Sequence, residues 1–221
     1  MLALAALAGM AGCTSPFGGG VDEERLNENA TYEWNDSADV YVNVTTGQFQ
    51  AVYDVSGFEG TEFELWRPGI ESRNPLPIAA LKYRYPNGTT ITAENLTVER
   101  QDGATVVNLP QSTGQVAFTA RTDEKSLVLP NYMEGSYHVV LPENMRVGFP
   151  LFGQVSPGAD ERELDESTSR VHLRWEEVTR NMNLQWYLAR DVWLFAGLVV
   201  VLLVVGGGGV AYYVYQIREL E

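Results

Sequence analysis

The sequence is poor in cysteine, histidine and lysine: its 221 residues include one cysteine, Cys13, two histidines, His138 and His172, and two lysines, Lys82 and Lys125. Without a second cysteine no intramolecular disulfide can form, so a folded domain must rest on its own core even where the compartment permits oxidation. A zinc site needs clustered His and Cys, and the sequence offers no such cluster. His172 and Glu176 have the spacing to share one side of a strand, but no third partner is in view. Neither a phosphate-cradling Gly-x-x-x-x-Gly-Lys motif nor a Gly-x-Ser-x-Gly elbow occurs, and Gly18-Gly19-Gly20 has no strand before it. No cofactor, metal site or catalytic residue is therefore assigned, and the expectation is a protein that is not an enzyme.

Basic charge is also scarce. Twenty-nine acidic residues face fifteen basic ones, for a net charge of −14. An acidic surface argues against nucleic acid, whose phosphates demand a basic footprint, and against adsorption to anionic lipid heads. The self-repulsion is largely screened near 1 M salt, where the Debye length is about 3 Å. Excess acid with almost no lysine is the profile expected of a protein from an extreme halophile.

Charge is missing altogether from residues 192–217, close to the end of the chain. At about 1.5 Å per residue this stretch exceeds a hydrocarbon core roughly 30 Å thick. Trp186, Tyr187, Trp193 and Phe195 flank one end and Tyr212, Tyr213 and Tyr215 the other, as interfacial aromatic belts would. A transmembrane helix over 188–217 follows, with 218–221 as a cytoplasmic tail. Within it, Gly206-Gly207-Gly208-Gly209 lets backbones approach closely. Gly207 and Ala211 form a small-x-x-x-small pair, read either as a packing face for a membrane-protein partner or second copy, or as a flexible kink.

At the other end, Leu2 to Ala8 is apolar, and Met10-Ala11-Gly12-Cys13 resembles a lipoprotein signal, although a basic n-region is missing. Residues 1–12 are expected to be removed and Cys13 to carry lipid. Residues 13–30 then read as a flexible tether. A single lipid chain holds weakly beside a transmembrane helix, so lipid at Cys13 would orient the chain more than anchor it.

Residues 31–187 read as the ectodomain. From Asp39 the period becomes two: Val40, Val42 and Val44, a Thr46-Gly47 turn, then Phe49, Ala51, Tyr53 and Val55, a β-hairpin. Further strands are expected at 62–66, 81–85, 95–100, 105–109, 115–120, 136–141, 170–175 and 183–188, separated by turns such as Asp102-Gly103. About ten short strands predict an all-β antiparallel sandwich of Ig-like or Greek-key type. A split into two sandwiches near residue 122 stays open. Asp160 to Glu166 reads as a solvated loop, since its spacing matches no defined Ca²⁺ loop. Asn29, Asn35, Asn43, Asn87 and Asn95 each open a glycosylation sequon. All five fall in the first half of the chain, and they place this part outside the cell.

Several phrases carry a resemblance: the signal at Cys13, Arg84-Tyr-Pro-Asn-Gly-Thr89, Glu134-Gly-Ser-Tyr-His-Val-Val-Leu-Pro142, Val147-Gly-Phe-Pro-Leu-Phe-Gly-Gln-Val-Ser-Pro-Gly158, Arg174-Trp-Glu-Glu-Val178, Tyr187-Leu-Ala-Arg-Asp191 and Gln216-Ile-Arg-Glu-Leu220. Together the chain resembles an uncharacterised family of haloarchaeal surface lipoproteins with a C-terminal transmembrane helix. The resemblance implies a place at the cell membrane and no particular activity. An envelope component or accessory subunit of a membrane complex is the expected role. A ligand- or solute-binding module working with a transporter is the alternative, and a concave patch of Trp66, Tyr83 and Tyr85 would favour it. Acids gathered around His138 or His172 would favour catalysis instead.

Overall fold

The computed structural model describes residues 21–69, 72–149 and 151–218. A single helical turn, α1 (Glu23–Leu26), precedes seventeen strands and one long helix, α2 (Ala189–Arg218). The strands are β1 (Val40–Thr45), β2 (Gln48–Asp54), β3 (Glu62–Pro68), β4 (Arg73–Pro75), β5 (Ile78–Arg84), β6 (Thr90–Thr92), β7 (Thr97–Gln101), β8 (Ala104–Asn108) and β9 (Gln115–Arg121). The rest are β10 (Ser126–Leu129), β11 (Gly135–Val140), β12 (Met145–Arg146), β13 (Gln154–Ser156), β14 (Glu161–Asp165), β15 (Arg170–Val178), β16 (Met182–Gln185) and β17 (Tyr187–Leu188).

Eight strands form one large sheet in the order β14-β15-β11-β1-β2-β9-β5-β6. The other strands form a four-stranded sheet, β4-β3-β8-β7, and a three-stranded sheet, β10-β16-β13, which share a core with the large sheet, and the short pair β12-β17. The predicted hairpin forms β1 and β2, with Val42 opposite Ala51. Its alternation sends Val40, Val42 and Val44 into the core and leaves Tyr41 and Asn43 on the other face. Asp102 and Gly103 both adopt positive φ (49° and 78°), which a two-residue hairpin between β7 and β8 requires.

One contiguous core lies between the layers. Tyr53 and Phe118 stack from the large sheet, while Phe63 of β3 meets Tyr53 at 5.2 Å between ring centroids. Leu127, Met182 and Leu184 of the three-stranded sheet join the same cluster as Val139 and Trp175. This core draws on residues from both sides of position 122, where the sequence left a split open.

The expected β-sandwich forms, and several particulars of it change. The sheet is mixed, because β1 pairs with β11 in parallel, Val42 beside Val139; a long return through the intervening strands makes that geometry accessible. Residues 161–165 are an edge strand on β15, not a loop: nearly every side chain there is exposed, so no apolar alternation marks it. The strand at 183–188 is two, β16 and β17, separated by Trp186. That residue is buried to 1% exposure, with Nε1–H donating to Glu124 O, and so belongs to the core, not to an interfacial belt. Finally, the stretch read as tether is docked from its last third onward. Leu26 is buried in the core, and Lys82 Nζ donates to Ala30 O at 2.6 Å.

Beyond that, residues 30–38 cross the outer face of the large sheet as an extended strap. Tyr32, with Val52, Ala80 and Ala117 beneath it, forms a second small cluster, and Ala30, Trp34 and Tyr41 pack around it. Tyr32 Oη donates to Ala80 O at 2.7 Å. Ala80 sits at a bulge in β5 with φ 51°, a strained conformation for a residue with a side chain, and the strap closes over the carbonyl that this bulge turns outward.

Candidate functional site

Under the end of this strap lies a chain of three polar groups. Asp36 comes from the strap, His138 from β11 and His172 from the adjacent β15. Both histidines point to the outer face by the alternation of their strands, and the register sets Val140, two residues from His138, opposite His172. Asp36 Oδ2 lies 2.7 Å from His138 Nδ1, and His138 Nε2 lies 2.9 Å from His172 Nδ1. His138 is 4% exposed, and the Tyr41 ring meets it edge-on at 5.2 Å.

Burial pushes the His138 pKa below its ordinary value of 6.5, more than the hydrogen bond and charge of Asp36 raise it; Arg174 and His172 lower it further. The neutral ring then donates from Nδ1 to the carboxylate and presents an Nε2 lone pair, so His172 donates from Nδ1. His172 Nε2 is left as the outward end of the chain. Such an arrangement can carry a proton inward, but both His138 nitrogens are engaged, so His138 has no free atom to activate a nucleophile. Among the described residues no group of three or more His, Cys, Asp or Glu converges as metal ligands.

The sequence reading allows His172 and Glu176 to share one side of a strand, with no third partner. Both lie on β15, where His172 meets His138 and, through it, Asp36, while Glu176 N–H donates to Asp160. Asp36 is the acid bonded to His138, and the register of β14 sets Glu163 opposite His172. A signal for Asp36 was present in the strap: Ala30, Tyr32, Trp34, Asp36 and Ala38 face inward and alternate with exposed Thr31, Glu33, Asn35 and Ser37.

A second feature had no signal in the sequence. A cleft of about 580 Å³ is lined by Arg25 of α1, Arg67 of β3 and Arg121 of β9, together with Asp123 and the apolar Phe49 and Leu127. The size suits a small ligand. Among the described residues, Arg67 and Arg121 have no ion-pair partner, and Arg25 has only Glu28 at 4.0 Å. Trp66, Tyr83 and Tyr85 do not form the aromatic patch considered above. Trp66 packs edge-on against Tyr132, whereas Tyr83 is buried in the core against Tyr85.

The remaining candidates are dispersed. Asn29, Asn35, Asn87 and Asn95 are exposed. Asn43 is half-buried on the outer face of β1, its Oδ1 accepting from Arg170 Nη2 at 2.6 Å. Gly207 and Ala211 lie on α2, which runs unbroken through the four glycines, with open space where a Cβ at any of them would sit. Cys13 lies outside the described residues.

The α2 segment Ala189–Ile217 has a mean hydropathy of 2.5 over its most apolar window, none of it buried. Fold and helix thus define a β-sandwich protein carrying one C-terminal apolar helix with the length and composition to cross a membrane. The chain belongs to the family of unknown function DUF5803, which matches residues 36–221. Among curated proteins none matches it.

Proposed function

We propose that this chain is a non-enzymatic cell-surface lipoprotein, held by lipid at Cys13 and by α2. Its sandwich lies outside the cell, its C-terminus inside, and its role is that of an envelope component or accessory subunit of a membrane complex. The observation that carries this reading is α2 itself: its apolar window is wholly exposed, and its glycine run is open for a neighbouring helix. Double anchoring is supported by where the chain ends leave the sandwich. Arg25 of α1 lines the same cleft as Arg121 and Asp123, and Lys125 is ion-paired with Asp191 of α2 at 3.1 Å. Acidic composition supports a halophilic, archaeal setting, and the exposed sequons support glycosylation.

The test is mild cross-linking and affinity purification from native membranes at high salt, read by mass spectrometry. A stoichiometric integral-membrane partner lost on Gly207→Leu supports the accessory-subunit reading. Recovery of the chain alone, unaffected by that substitution, removes it. Cys13→Ser should end lipid attachment yet leave the chain membrane-bound; release into the medium would refute anchoring by α2.

A second reading, a surface module that binds a solute, is favoured by one observation, the arginine-lined cleft in a chain of net charge −14. Its ligand would be a small anion with an apolar part. Calorimetry with aromatic carboxylates and organophosphates tests it, and Arg67→Ala with Arg121→Ala should weaken any binding at least tenfold.

A further inference from the structure

Outside α2, Leu151 is the most exposed large apolar side chain among the described residues, at 69%, and Phe149 close by is 36% exposed. Isolated exposed apolar side chains mean little by themselves, and what gives this pair weight is its place beside α2. These two project from a turn closed by Phe152 and Gly153, whose N–H groups both donate to Phe149 O. The turn is fastened to the root of the apolar helix. Upstream of it, β12 pairs with β17, the strand that runs directly into α2. Phe152 packs on Tyr187 and meets Phe195 of α2 edge-on, at 5.3 Å between centroids.

The helix supplies a depth scale. Asp191, paired with Lys125, marks the charged level, and Phe195 lies four residues further in, or about 6 Å along the axis. Trp193, 80% exposed, stands between them, where an interfacial tryptophan belongs. A turn that touches Phe195 is therefore at the depth of the headgroup–acyl boundary, about 5–10 Å in, where apolar side chains of surface-bound proteins settle.

We propose that this turn is a second membrane contact, with Phe149 and Leu151 inserted into the lipid interface beside α2 so that the sandwich is held at a set tilt and rotation. The inference rests on the reading that α2 spans a bilayer. The occupant is lipid, because the turn packs through Phe152 on Phe195 of α2, within the apolar segment whose most apolar window is wholly exposed. A lone transmembrane helix leaves a domain free to swivel about its axis; two contacts remove that freedom and present one face of the sandwich outward.

The test uses the full chain with Cys13→Ser, which leaves an introduced cysteine unique. An environment-sensitive fluorophore is placed in turn at Leu151→Cys, at Val204→Cys near the middle of α2, and at Glu99→Cys on the exposed strand β7. Each is reconstituted in phosphatidylcholine vesicles containing lipids spin-labelled at acyl carbon 5 or carbon 12. At Leu151 the probe should be quenched at least threefold more than at Glu99, and more by carbon 5 than by carbon 12. At Val204 the order should reverse. Quenching at Leu151 no greater than at Glu99, with Val204 still quenched, overturns the inference and leaves the span intact. An unquenched Val204 overturns the span and this contact with it. A Leu151 probe shielded from lipid quencher and from aqueous iodide alike would show that a second copy of the chain covers the turn, and would also overturn it.

Discussion

Replacing Asp36 by alanine tests the tie between the strap and the sheet. In the folded protein the side chain of His138 is 5% exposed and its Nδ1–H is satisfied by Asp36. Removing the carboxylate leaves a buried donor without its partner, a loss of about 1–3 kcal/mol. Asp36 is itself 15% exposed, so water can enter the vacated place, and about 1–2 kcal/mol is expected. With a urea slope of about 2 kcal/mol per molar, the midpoint should fall by about 0.5–1 M at pH 7.5, followed by circular dichroism of the full chain in detergent. Ser37→Ala, one residue on and exposed, should not move it. The pH dependence gives a second check. Because burial lowers the folded pKa of His138, the unfolded chain binds more protons, and stability is lost as pH falls below about 6.5. Asp36 favours the imidazolium, so without it the folded pKa drops further and the loss continues to lower pH. The gap between wild type and variant should therefore widen from pH 7.5 to pH 5. A midpoint shift below 0.2 M at pH 7.5, or a gap that narrows on acidification, would refute the geometry.

Three further outcomes are expected. Tyr53→Phe removes a fully buried hydroxyl that has no hydrogen-bond partner among the described residues while keeping the ring stacked on Phe118, so stability should stay level or rise by about 1 kcal/mol; a clear loss would mean the hydroxyl is bonded after all. Arg170→Ala breaks donations to Leu141 O, Asn43 Oδ1 and Val44 O across the parallel β1/β11 junction and should destabilise by about 2–3 kcal/mol in the same titration, with Arg170→Lys restoring less than half because an ammonium cannot span all three acceptors. In glycopeptide mass spectrometry of the native protein, sugar should appear among Asn29, Asn35, Asn87 and Asn95 and be absent from Asn43, whose amide is engaged by Arg170; an occupied Asn43 would contradict its placement.

Local periodicity carried much of the architecture. The hairpin of β1 and β2, the Asp102-Gly103 turn and α2 were all legible, because alternation and long apolar runs are properties of neighbouring residues. Alternation and strand pairing do not always coincide. The strap alternates over residues 30–38 without pairing as a strand, and β14 pairs without alternating. Trp186 was assigned to a membrane belt by its nearness in sequence to the apolar run, yet the break between β16 and β17 turns it into the core.

By itself the sequence determined a β-rich domain, an apolar segment long enough to cross a bilayer and an acidic surface, since each follows from composition or spacing along the chain. Only the tertiary structure decided which side chains meet. Asp36 and His138 are about a hundred positions apart, and Arg25, Arg67 and Arg121 come from three separate elements. Strand order and register bring such residues together, and long-range pairing is settled by how whole sheets bury their faces, which no local pattern encodes.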